Sequence, residues 1–172
     1  MIIRRARPTD ATGIAAVHVA VWRSAYADIL PPEYLAQLSI PRLAHFYGHA
    51  IHGDTGVFVA TTPAIAGFAT AGRARTRLAD GEIETLYVHD DWRDRGIGRR
   101  LITAGAGWLQ SRGAASAFLW VLRDNPSRWF YERLGGRPAS TATTHVAGRP
   151  VPQIAYVWNP IDRLLAGQHQ RS

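Results

Sequence analysis

Glu82-Ile83-Glu84-Thr85-Leu86-Tyr87-Val88-His89-Asp90-Asp91-Trp92-Arg93-Asp94-Arg95-Gly96-Ile97-Gly98-Arg99-Arg100-Leu101-Ile102 is the stretch on which the fold turns. Its first part is β-branched or aromatic at Ile83, Thr85, Tyr87 and Val88 and follows the turn dipeptide Asp80-Gly81, which predicts a strand over 82–88. A period of two then puts Glu82 and Glu84 on one face. After a short polar segment come two glycines and an apolar-periodic run through Leu101, Ile102, Trp108 and Leu109, which predicts a helix stopped by Arg112-Gly113.

Strand, glycine loop and helix together describe an anion site. Glycines at 96 and 98 let the backbone turn sharply and approach a ligand, and the free amides of the first helical turn point at whatever sits there. Those amides and the positive end of the helix dipole favour a phosphate, with Arg93, Arg95, Arg99 and Arg100 adding charge around it. A dinucleotide-binding Gly-x-Gly-x-x-Gly is excluded because the third glycine falls on Leu101, and a phosphate-binding Walker loop because Gly-Lys-Ser/Thr is absent. Taken alone, glycines at this spacing are equally the mark of a plain helix-starting turn.

Two motifs in order carry a resemblance. Leu86-Tyr87-Val88 followed after a short gap by Arg93-x-x-Gly96-x-Gly98 resembles the acetyl-coenzyme A signature of the Gcn5-related N-acetyltransferases (GNAT), Arg/Gln-x-x-Gly-x-Gly/Ala. Asn125 and Trp129-Phe130-Tyr131-Glu132-Arg133-Leu134-Gly135-Gly136 are similar to that family's downstream helix. The likeness is close over 82–136 and extends as an ordered pattern of elements over 1–158. It departs at Arg128, where the family often has Ala, and at Gly135-Gly136-Arg137, where Gly-Phe is frequent.

The resemblance implies an α/β (α+β) fold. Its central sheet would be mixed and mostly antiparallel, with about six to seven strands flanked by helices, and would open into a splayed acetyl-CoA cleft. It implies acetyl-CoA as cofactor, held by Leu86, Tyr87, Val88, Arg93, Asp94, Arg95, Gly96, Ile97, Gly98, Arg99, Asn125 and Tyr131. Transfer of an acetyl group from a thioester to an amine needs a proton for the departing thiolate. Tyr131 is the general acid by resemblance, since a phenol of pKa about 10 can protonate a thiolate whose thiol lies near 8.5. Glu82 and Glu84 are candidates to take the proton of the incoming ammonium once burial raises their pKa. Glu82, eleven residues before Arg93, is placed ahead.

Length and composition agree with these limits. At 172 residues, with 47% hydrophobic and 19% charged side chains, the chain is expected to form one domain over 1–172 that buries a real core. It has no cysteine, which removes disulfides, cysteine metal sites and a cysteine acyl-enzyme. The seven histidines show no metal spacing, so no metal is expected. No apolar run approaches ~18 residues and no leader segment is seen, which predicts a cytoplasmic protein without membrane contact. The net charge of +7 comes entirely from arginine. The arginines are scattered and Trp92, Trp108 and Trp120 fall in predicted core elements, so no nucleic acid is expected.

Upstream, Met1 to Arg5 reads as a strand, and Arg7-Pro8-Thr9-Asp10 caps a helix over Ala11–Ala25 with Ile14, Val17, Val21 and Trp22 on its apolar side. Leu30-Pro31-Pro32 breaks it, a short helix follows at Tyr34-Leu35-Leu38, and another spans Pro41–Ile51. By resemblance the first helices hold the acceptor, which makes Trp22, Tyr26, Glu82 and Glu84 the substrate-binding candidates, with His18, Arg23 and Tyr34 beside them. Val57–Ala60 and Ala64–Ala69 read as a hairpin, trailing into Arg73, Arg75 and Arg77 as a solvated strand end.

Downstream, the apolar Ala117–Leu122 reads as a buried strand. Asn125-Pro126 opens a helix to Arg133, strands follow near Ser140–Ala147 and Val151–Trp158, and Leu164-Leu165 with the tail are expected to be loose. The expected function is direct acetyl transfer to a primary amine of a small molecule. Its alternatives are acetylation of a peptide or protein amino terminus and non-catalytic acyl-CoA sensing. Small enzymes of the family are often dimers, which leaves a homodimer open.

Overall fold

The computed structural model, which describes residues 1–166, has seven strands, apolar at the centre of the sheet and polar at its β6 edge: β1 (Ile2–Arg5), β2 (Gly56–Thr61), β3 (Ile65–Arg73), β4 (Gly81–Val88), β5 (Ala117–Leu122), β6 (Arg137–Val146) and β7 (Arg149–Trp158). They make one sheet in the order β1-β2-β3-β4-β5-β7-β6, antiparallel throughout except for the β4–β5 pair. The helices are α1 (Ala11–Ala25), α2 (Pro32–Ala36), α3 (Ile40–His52), α4 (Ile97–Ser111), α5 (Arg128–Arg133) and α6 (Asp162–Leu165). No described helix is long and apolar enough to cross a membrane.

Each face of the sheet buries its own helices. On one side α1 and α3 bring Ile14, Val17, Val21 and Tyr47 against Val57, Val59 and Phe68. On the other, α4 brings Ile97 and Leu101 against Ala60, Ala66 and Ala69, and Ile102, Ala106 and Leu109 against the strands beyond. Close approach of α4 depends on missing side chains. A Cβ on Gly67 of β3 would lie 3.2 Å from Leu101 Cδ1 of α4, and one on Gly105 of α4 would lie 3.1 Å from Ile83 Cδ1 of β4. The glycine in mid-helix therefore trades about 1 kcal/mol of helix propensity for packing distance.

β4 contains one residue more than its partner requires. Its register with β3 pairs Ile83 with Ala71 and Thr85 with Thr70, which leaves Glu84 as the added residue of a bulge. The bulge changes the parity of the strand. Ile83 faces α4, and so do Leu86 and Val88, packed with Ile97 and Leu101, while Tyr87 joins Phe68 on the α1–α3 side. Strict alternation would have put 83 and 86 on opposite faces.

The parallel pairing of β4 with β5 stops almost where it starts. Only Gly81↔Ala117 and Glu82↔Phe118 are in register. Beyond them β4 stays with β3 as far as Val88 and β5 stays with β7 as far as Leu122, so the sheet splits.

Three expectations need correction. Leu164 is buried at 4% exposure inside α6, and its carbonyl accepts from the Thr103 hydroxyl at 3.2 Å; residues 167–172 of the expected loose tail lie outside the described residues. Ala147 belongs to the β6–β7 turn with φ +52, beside Gly148 at φ +74. Trp92, Trp108 and Trp120 are half-buried, because large indoles fit better at the rim of a core than wholly within it.

Gly136 shows how tightly the last strands hold α5. A Cβ there would lie 2.7 Å from Trp158 Cζ2 and 2.9 Å from the Tyr131 carbonyl, and Trp158 is fully buried. Gly136→Ala is expected to lose about 1–3 kcal/mol in urea unfolding, the usual cost of overpacking a rigid site. An unchanged midpoint would show that the Trp158 ring can give way.

Candidate functional site

The split between β4 and β5 is a cleft of about 580 Å³, lined along one edge by residues 83–88 and along the other by residues 119–122. The α4 amino terminus closes one end and α1 flanks the other, with α5 across the top. Along β4 the backbone of Leu86, Tyr87 and Val88 pairs with β3 on one side and meets no strand on the other. That free edge can pair with an extended ligand.

The loop entering α4 is built for an anion. Asp94 (φ +59) and Gly96 (φ +74) both take the left-handed conformation, the kind of turn by which successive backbone amides can form an anion-binding concavity. An added Cβ on Gly96 meets nothing within 4 Å, whereas one on Gly98 would touch Phe130 and Val88 at 3.5 and 3.8 Å. Space is therefore kept at 96 and filled at 98. Arg93, Asp94, Ile97 and Arg99 line the same end, and Arg93 pairs with Asp90 at 2.8 Å. Arg95 does not line the cleft: its guanidinium lies 4.8 Å from the Trp92 ring centroid.

Tyr131 of α5 lines the cleft and is buried, with 7% exposure. Its ring lies among Phe130, Tyr156 and Trp158, and burial and the neighbouring Tyr26 push its phenol well above the ordinary value. The proton therefore stays on at neutral pH. Asn125 also lines the cleft, but both ends of its amide are engaged: Nδ2 donates to the Tyr26 hydroxyl at 3.1 Å, and Oδ1 accepts from the Ser127 amide at 2.9 Å. It ties the end of α1 to the start of α5.

The two acidic candidates differ in place. Glu84 lines the cleft and Glu82 does not, although burial raises the pKa of both. Glu84 adds to the rise at Glu82, and Arg75 opposes it at both, so the arginine expected only as a solvated strand end stands beside this pair. Trp22 and Tyr26 line the cleft with ring centroids 4.8 Å apart. His18 and Tyr34 lie behind them, and the Arg23 side chain turns away to the Leu35 carbonyl at 3.2 Å.

Residues that sequence reasoning passed over complete the wall. Trp120 and Leu122 of β5, Thr144 and Val146 of β6, and Gln153 of β7 face the cleft. The only signal for them was that β5 follows the motif helix. The partly exposed side of a strand that reads as wholly apolar becomes visible only once its neighbour has diverged.

His18 packs behind this wall, stacked on Trp22 at 5.3 Å with Nδ1 2.7 Å from the Tyr47 hydroxyl. Burial lowers its pKa to about 4. Between about pH 6.5 and 4 the unfolded chain binds a proton at His18 that the folded chain refuses, so this group's contribution to stability falls as pH falls through that window. Urea unfolding at pH 7 and pH 5 should show wild type losing on the order of 1–2 kcal/mol more than His18→Gln on acidification. Equal losses would show that the imidazole titrates as it does in water.

Comparison with known proteins agrees with the geometry. Residues 19–136 match the Acetyltransferase (GNAT) family. Over 166 residues the chain is 31% identical to the uncharacterized N-acetyltransferase YuaI of Bacillus subtilis, covering 94% of this chain and 95% of the relative. A GCN5-related N-acetyltransferase from Rhodopseudomonas palustris, described as "Aminotransferase, Class-II", superposes with a TM-score of 0.74 at 25% identity, covering 92% of this chain and 94% of that one. The fold is shared by a phosphinothricin acetyltransferase from Sinorhizobium meliloti solved in complex with acetyl-CoA, with a TM-score of 0.70 at 19% identity over 94% and 89% of the two chains.

Proposed function

The chain belongs to the GNAT acetyltransferase family, and from that premise we propose that it transfers an acetyl group from acetyl-CoA directly to a primary amine of a small molecule, within one domain. The observation that carries this reading is the split of β4 from β5 beneath the α4 amino terminus. The residues present fit the cofactor. Left-handed backbone at Asp94 and Gly96, open space over Gly96 and the charges of Arg93 and Arg99 suit a diphosphate. The free edge of Leu86–Val88 suits an amide-bearing arm.

Acetyl-CoA supplies an activated thioester carbonyl. Glu84, with its pKa raised by burial and a place on the wall, takes the proton of the incoming ammonium in this scheme, and Glu82 stands off the wall. Tyr131 holds the proton that the leaving sulfur needs. Asn125 positions Tyr26 and the start of α5.

A small acceptor is favoured over a peptide by the way the far end is walled. Tyr26, Leu30 and Leu35 pack with Leu122 and Val146, so the α1–α2 segment bridges to β5 and β6 across the opening. That leaves a pocket where a peptide needs a through-going groove. Calorimetry with acetyl-CoA, coenzyme A and NADH, followed by an amine screen with thiol detection, tests the reading. Micromolar binding of the first two alone with amine-dependent thiol release supports it. Binding without release from any amine would favour an acyl-CoA sensor, and no binding would end the assignment.

A further inference from the structure

One side of α3 buries Leu43, Tyr47, Ala50 and Ile51, which leaves the opposite side of the helix in solvent. His45 and His49 stand there one turn apart, both exposed and away from the cleft. Their rings meet edge to face, with centroids 4.5 Å apart at 82°, and their Nε2 atoms lie 3.1 Å from each other. They are the exception to the reading that the histidines carry no metal spacing, since residues four apart on a helix share a face.

From this geometry we infer that His45 and His49 form a two-imidazole chelate for a borderline divalent transition ion, Cu²⁺, Ni²⁺ or Zn²⁺, with water in the remaining positions. Two nitrogens each bound at about 2.0–2.1 Å are roughly 2.9 Å apart at a right angle and roughly 3.3–3.4 Å apart at a tetrahedral angle. The observed 3.1 Å lies between them, so either geometry needs ring movements of only a few tenths of an ångström. With both rings as Nδ1–H tautomers, each Nε2 carries a lone pair that can be given to the same ion. Buried Tyr47 pins the turn between the two histidines, so little backbone freedom is lost on binding. Imidazole nitrogen selects against Mg²⁺ and Ca²⁺, which take oxygen ligands. No group of three potential ligands occurs among the described residues, which makes this an open, exchangeable site rather than a closed structural one.

Calorimetric titration of the untagged full chain with CuCl₂, NiCl₂, ZnCl₂ and MgCl₂ tests the inference. One ion per chain is expected for the first three, tightest for Cu²⁺, and none for Mg²⁺. His45→Gln and His49→Gln should each weaken binding by roughly tenfold or more, since each removes one of two donors. His52→Gln should leave affinity within about twofold, and circular dichroism should show all three variants folded, as expected for exposed positions. The Cu²⁺-loaded protein should give the spin-resonance signature of nitrogen donors, lost in His45→Gln. Wild-type affinity in both His45→Gln and His49→Gln, or no binding by wild type, overturns the site and leaves the pair as a simple hydrogen bond.

Discussion

Tyr131→Phe is expected to lower turnover at least about tenfold while leaving acetyl-CoA affinity within about twofold, because general acid catalysis contributes a factor of that size or more. The substitution removes one oxygen and nothing else. Phenylalanine keeps the ring that packs against Phe130, Tyr156 and Trp158. The hydroxyl forms no hydrogen bond with another described residue, so unfolding free energy should move by no more than about 0.5 kcal/mol. Since burial and Tyr26 keep the phenol protonated well beyond neutrality, the wild-type rate should not fall through loss of this proton between pH 6 and 9. Steady-state kinetics beside calorimetry separates the outcomes. Turnover that survives intact would remove Tyr131 from the mechanism, and a matching loss of affinity would make it a binding residue.

Gly96→Leu should eliminate measurable acetyl-CoA binding. Two costs combine at this position. The backbone sits at φ +74, which costs a residue with a Cβ about 1–2 kcal/mol, and the new side chain enters the space kept open before the first turn of α4. Gly98→Ala provides the contrast: its methyl would meet Phe130 and Val88 at ordinary contact distances and should bind nearly as wild type does. Retained affinity in Gly96→Leu would sink the loop as the phosphate site. Equal losses at both positions would show that helix stability, rather than space, is being measured.

How much of this was legible in the sequence depended on whether the determining interaction is local. The α4 loop was readable because left-handed backbone and close approach demand glycine where they occur, and the limits of α1 were readable from the Pro8 turn and the apolar spacing. The bulge was not readable, since it arises from how β4 pairs with Thr70 and Ala71, and Glu84 looks like any alternating strand residue. For the same reason Glu82 ranked above Glu84 on spacing, yet only Glu84 lines the cleft. Arg95 was counted as a phosphate ligand by proximity in sequence, but it stacks on Trp92. α6 was missed because four residues carry too little periodicity to register. Trp120 went unassigned because a wall exists only after two strands part.

The extra residue of β4 has a consequence for how such a protein can change its chemistry. Residue 84 has no opposite number on β3, and its carboxylate lies over Gly72, where an added Cβ would come 2.5 Å from Glu84 Oε1, so the missing side chain at 72 is what makes room for it. On either side of it, Ile83 is bound by the core and Thr85 by its hydroxyl contact with Thr70, so both vary only at the expense of stability. Position 84 is thus a socket in the wall whose room is set by Gly72, so that an acid can give way to an amide of the same shape while the sheet around it stays as it is.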